Sequence, residues 1–146
     1  MVSMQSDLLQ KLRKYFEASP ILCGMPASEA DITSAQRRLN CQFVREYVEF
    51  LRLFGCGVVG PDPIYGLGAD HVAAMAEDDD VVTQTERFRA HRWPGVANWY
   101  IISMDGRGNP IGLDADGRVW LSDHDAHAVV PVADDFETFL AQNLAR

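Results

Sequence analysis

No apolar run in the 146-residue chain approaches the roughly 18 to 20 residues that a membrane-spanning helix requires, so no such helix is expected. Residues 1–12 lack the basic start and unbroken apolar stretch of a secretory signal, because Gln5, Ser6, Asp7 and Gln10 interrupt them. A cytoplasmic location is the corresponding expectation. Cysteine is scarce, and Cys23, Cys41 and Cys56 form no C-x-x-C pair and have no histidine close in sequence. Their spacing matches no zinc framework, and they read as reduced, mostly buried small residues. Positive charge is short as well: 13 Lys and Arg stand against 21 Asp and Glu, a formal charge of -8. Nucleic acid is therefore not an expected partner, since phosphate binding needs clustered Lys and Arg. A G-x-S-x-G elbow, a P-loop and a dinucleotide fingerprint are all missing, because Gly106-x-Gly108 lacks the further glycine and the strand-to-helix setting.

What is present suits one domain spanning 1–146. Seven Phe, four Tyr and three Trp supply large anchors for a core, and disorder is not expected of such a composition. Leu8, Leu12, Tyr15 and Phe16 recur at helical spacing over residues 7–18, and Ser19-Pro20 stops that helix. Ser28 followed by Asp31 opens a second helix with Ile32, Ala35 and Leu39 as its buried stripe. A third carries Phe43, Tyr47, Phe50, Leu51 and Phe54 and ends at Gly55 and Gly57. Residues 60–63 are expected to form a loop and 64–67 a short strand. Over residues 69–91 the Asp78-Asp79-Asp80 run predicts a broken helix or two helical pieces. Residues 98–104, 110–113, 119–121 and 128–132 read as strands, with turns about nine residues apart, the mark of an antiparallel meander. Asp134-Asp135 opens a last helix bearing Phe136, Phe139, Leu140 and Leu144. The fold class is thus α+β: an antiparallel β-meander with N-terminal helices and a C-terminal helix packed on one face.

Two clusters invite a chemical reading. Asp123-His124-Asp125 with His127 could bind a divalent metal or support acid–base chemistry, as a small metal-dependent hydrolase would require. Their place in a strand-to-strand connection favours turn chemistry instead, because Asp caps local backbone there. Asp114-x-Asp116-Gly117 starts like a calcium loop, but Arg118 and Asp125 occupy positions that need a ligand and a bidentate Glu. No metal, no cofactor and no catalytic residue is expected. Charge is more informative. Residues 1–54 carry a net +1, residues 55–104 a net -4 and residues 105–146 a net -5. An acidic surface of this kind would attract a basic protein, and Asp78, Asp79, Asp80, Asp114, Asp116, Asp123 and Asp125 are the candidate contact residues. Trp93 and Trp120 could anchor such a contact.

Taken in order, several motifs resemble the SUKH superfamily, which includes the yeast Smi and Knr cell-wall regulators and many bacterial immunity proteins. They are the helix at residues 31–40, the aromatic helix ending in Gly55-Cys56-Gly57, the short Ile64-Tyr65-Gly66 and Asp105-Gly106-x-Gly108-Asn109. Ile111-Gly112-Leu113-Asp114, Gly117-x-Val119, Asp123-His124-Asp125 and Phe136-x-x-Phe139-Leu140 complete the series. The resemblance implies a SUKH-like α+β fold without catalytic residues. It also implies an immunity protein that binds and neutralises a cognate toxin of nuclease or deaminase type. The alternatives left open are a generic regulatory or scaffold module, the metal-dependent hydrolase above, and a small-ligand sensor with a pocket between helices and sheet.

Overall fold

The computed structural model describes residues 4–146. Leu8, Leu12 and Phe16 form the buried stripe of α1 (Ser6–Ala18), and Ile32, Ala35 and Leu39 that of α2 (Glu29–Leu39). Ser28 caps α2 by accepting the Asp31 N–H at 3.1 Å. In α3 (Arg45–Phe54) the inward positions are Tyr47, Phe50, Leu51 and Phe54. The helix starts at Arg45 rather than Phe43, whose N–H instead donates to Gln36 Oε1 of α2 at 2.8 Å. The two strands β1 (Gly57–Val59) and β2 (Asp62–Ile64) pair as a hairpin. Asp62 and Pro63 thus lie in a strand where a loop was expected, and of the strand expected over 64–67 only Ile64 belongs to it. Pro63 tolerates this because the hairpin is only two strands wide, so its missing N–H can face away from the pairing.

Two helical pieces do follow: a 3-10 turn at Ala69–His71 and α4 (Val81–Ala90). The β-branched start of α4, Val81-Val82-Thr83, is held helical by its Asp80 cap. The meander comprises β3 (Tyr100–Met104), β4 (Pro110–Leu113), β5 (Val119–Asp123) and β6 (Ala128–Ala133), adjacent in that order and antiparallel throughout. The last helix, α5 (Phe136–Leu144), is capped by Asp135, whose carboxylate accepts the Thr138 N–H at 2.7 Å.

One core joins α1, α2, α3 and α5 to one face of the sheet through Tyr47, Phe50, Phe136, Leu140, Tyr100, Ile102, Leu113 and Val119. A smaller core lies on the other face and holds Phe88, Val96, Trp99 and Ile101, together with Cys56 and Tyr65. Between the two, α4 runs along the outer edge of β3. Thr85 Oγ1 accepts the Ile101 N–H at 2.7 Å, Arg89 donates to Trp99 O at 2.8 Å, and the Tyr65 N–H donates to Ile102 O at 2.7 Å. The polar groups of an edge strand are thereby satisfied, which closes that edge to pairing with another chain. Burial pushes the Cys56 thiol up to about 12, so it is a buried thiol and not a reactive thiolate.

Asp62 is buried beside Asn143, whose Nδ2 donates to it at 3.2 Å, and burial raises its pKa. The folded state therefore keeps this proton to a higher pH than the unfolded chain does. Its contribution is greatest below the ordinary carboxylate range and is lost as pH rises through the raised value. Asp62→Asn is expected to flatten the stability profile over that window, as chemical denaturation at a series of pH values would report.

Candidate partner-binding surface

The meander is punctuated by aspartates nine residues apart, Asp105, Asp114 and Asp123, each opening a turn. Their carboxylates accept the N–H two residues on: Arg107 at 2.8 Å, Asp116 at 2.9 Å and Asp125 at 3.0 Å. Such Asx turns explain why Asp recurs there without any catalytic demand. Gly108 and Gly117 complete the first two turns at φ of 83° and 85°. The third has no glycine, and His127 takes a φ of 49° in its place.

This geometry divides the seven candidate aspartates. Asp114 and Asp123 turn their carboxylates onto the backbone, while Asp116 and Asp125 are exposed beside them. Alternation of strand direction places the Asp114–Asp116 turn at one end of the sheet and the Asp123–Asp125 turn at the other. The remaining three precede α4, and the hydrogen bonds and ion pair of their side chains stay within residues 76–87. Asp80 caps the helix, accepting from Thr83 N at 2.7 Å and Thr83 Oγ1 at 2.8 Å. Asp79 accepts the Ala76 N–H at 3.0 Å. Asp78 forms an exposed ion pair with Arg87 at 2.7 Å, and that guanidinium lowers its pKa. A cleft of about 450 Å³ opens here, with Asp31, Asp70, Glu77 and Asp80 among its walls.

Between the two acidic turns lies the face of β5 and β6 that points away from α1, α2, α3 and α5. Ile101, Gly112, Trp120 and Pro131 are register partners in one row across the four strands. Gly112 leaves room for Trp99, whose Cβ would lie 3.0 Å from any Cβ built at residue 112. Trp99 then stacks near-parallel to Trp120, with ring centroids 6.5 Å apart. The segment before β3 folds over the end of this row: Ser122 Oγ donates to Pro94 O at 2.6 Å. Trp93 packs edge-on to Phe88 at 5.0 Å and against His124 at 4.7 Å. Trp93 and Trp120 are half-buried, so each is both part of the second core and part of the surface. Val129 continues the strip at 40% exposure, enough to make it a surface contact. Sequence reasoning singled out the tryptophans but missed Val129 and Pro131. That residues 128–132 form a strand was visible; that this strand lies at the edge of the sheet was not.

Asp114 also positions Trp120, whose Nε1–H donates to Asp114 Oδ2 at 2.9 Å. Asp114→Ala is expected to destabilise the fold by about 1–2 kcal/mol, because the indole and two backbone donors lose a charged acceptor. A change in tryptophan emission should accompany it, and Asp114→Asn should recover part of both effects.

His124 and His127 are exposed, 5.8 Å apart between ring centroids. Among the described residues no group of three or more His, Cys, Asp or Glu side chains is placed to hold a metal ion. No described helix is long and apolar enough to cross a membrane. The sequence matches the model of the SMI1/KNR4 family (SUKH-1) over residues 26–142. The chain belongs to the SUKH-1 family. The matched span runs from the segment before α2 into α5, so it includes every turn and every strand described above. Among the described residues, α1 and the short segments on either side of it stand before the SUKH-1 match. Their packing into the main core, through Leu8, Leu12 and Phe16, makes them part of the same body. A search of curated proteins finds no match.

Proposed function

We propose that this SUKH-1 chain is a non-catalytic, cytoplasmic protein-binding domain that acts as an immunity protein, neutralising a cognate toxin of nuclease or deaminase type. The observation that carries the reading is family membership combined with where the charge sits. The sheet and its turns, residues 100–135, hold a net -5 against +1 in residues 1–54. A toxin that acts on nucleic acid needs a basic surface for its substrate, and an acidic inhibitor can occupy that surface. Opposite fields speed encounter, and apolar burial at the contact slows escape. Chemistry is not needed for such a role, and the polar clusters have structural explanations in turns, caps and ion pairs.

Co-expression tests this reading. The toxin encoded beside the gene should arrest growth when expressed alone, and growth should return when this chain is expressed with it. Persistent arrest, with both proteins soluble and present in comparable amounts, would remove the proposal and favour a regulatory or scaffold module.

A further inference from the structure

Resting on that reading, we infer that the toxin docks on the outer face of the meander, from Trp93 and His124 across Trp120 to Val129 and Pro131. Its occupant is a basic protein surface. The apolar centre of that surface covers the two tryptophans, and its lysines and arginines reach Asp116 at one end and Asp125 at the other.

Three observations select this occupant. First, the face is apolar at its centre and acidic at its ends. Residues 93–135 contain seven Asp, no Glu or Lys, and only Arg107 and Arg118 as cations. An apolar centre with a charged rim is the anatomy of a protein contact. The five residues of β5 (Val119–Asp123) set the separation of the two acidic turns, about 17 Å at strand rise, so the partner needs positive groups on both sides of its apolar patch.

Second, a second copy of this chain is disfavoured. β6 has no strand beyond it among the described residues, which would permit antiparallel pairing of two β6 edges. That pairing would bring Asp134 and Asp135 of one copy towards Asp123 and Asp125 of the other, and like charges repel. Third, strand addition by an extended peptide is blocked. Pro131 lies mid-strand, and an irregular register between Val119 and Trp120 on β5 places Val132 opposite no partner. Proline and bulges are the devices that keep an edge from pairing. The face, not the edge, is left for contact.

The test measures association of the purified chain with the toxin encoded beside the gene, by surface plasmon resonance, for four proteins of verified fold. Val129→Asp places a charge in the apolar strip, and the double variant Asp116→Lys, Asp125→Lys reverses the rim at exposed positions that hold no other element. Ile21→Asp is the control, at a 75% exposed apolar position in the segment after α1. Both face variants should bind at least 10-fold more weakly, the double variant mainly through slower association, while Ile21→Asp should match the unmodified chain. If Val129→Asp does not fold, the double variant decides alone. Tight binding by the unmodified chain with no loss in the face variants overturns this surface and leaves the immunity reading standing. Failure of the unmodified chain to bind overturns both.

Discussion

Phe136→Ala is expected to lower stability by about 3–5 kcal/mol, the range for removing a fully buried aromatic ring. Phe136 is the first residue of α5, and none of its surface reaches solvent. Its ring meets Tyr47 edge-on at 5.4 Å and Phe50 edge-on at 5.7 Å, so it is the bolt between α5 and α3. Neither neighbour can collapse into the space. Tyr47 is fixed by its hydroxyl, which donates to Tyr65 O at 2.6 Å, and Phe50 is held against Phe54. A domain of this size has about 5–15 kcal/mol in total, so the variant should lose much of its resistance to urea. Unfolding followed by circular dichroism gives the value, and a loss below about 1 kcal/mol would show that α5 is not locked to α3 in this way.

Gly55→Ala should be nearly as damaging, for a reason that lies in the backbone. Gly55 ends α3 at φ 77° and ψ -58°, and the Cys56 N–H donates back to Phe54 O at 2.9 Å. That is a γ-turn of the rare, strained kind, which glycine adopts readily and alanine does not. Space is closed as well: a Cβ on residue 55 would lie 1.9 Å from Met25 O. Conformational strain of about 1–2 kcal/mol and overpacking of about 1–3 kcal/mol add to a cost of about 2–5 kcal/mol. The same carbonyl that Gly55 offers to the Leu67 N–H passes so close to Gly66 that residue 66 has no room for a side chain either. Thermal unfolding of Gly55→Ala and Gly66→Ala should therefore show both variants destabilised. Unchanged melting temperatures would contradict the close crossing of these two segments.

The elements that could be read directly are those whose buried residues repeat at the period of their own secondary structure. The stripes Leu8–Leu12–Phe16 and Tyr47–Phe50–Phe54 repeat in this way, and the continuous β-prone run Trp99-Tyr100-Ile101-Ile102 and the Asp-rich turns are legible from local composition instead. What was hidden depends on contacts between distant residues. β2 (Asp62–Ile64) follows Pro61 and contains Pro63, and looks like a loop until β1 pairs with it. The register of α4 along β3 depends on Thr85 and Arg89, polar residues whose role is to satisfy a sheet edge. Nothing in their own neighbourhood signals this.

The surface was legible in part for the same reason. Counting charge locates the acidity in the second half of the chain, but it cannot separate a carboxylate that caps a helix from one that is free to meet a partner. Asp80 and Asp114 are committed to Thr83 and Trp120, whereas Asp116 and Asp125 are exposed. Trp93 and Trp120 were visible as possible anchors. Their joining into one strip required the row through Gly112 and Pro131 that only the strand register defines.

The most direct check is stopped-flow association of this chain with the toxin that the proposed function places beside its gene, over a range of salt concentrations. The account gives a one-to-one complex whose association rate falls steeply as salt rises, because opposite fields steer the encounter, while dissociation changes little. A rate constant indifferent to salt, or no complex at micromolar concentrations of both proteins, would contradict it.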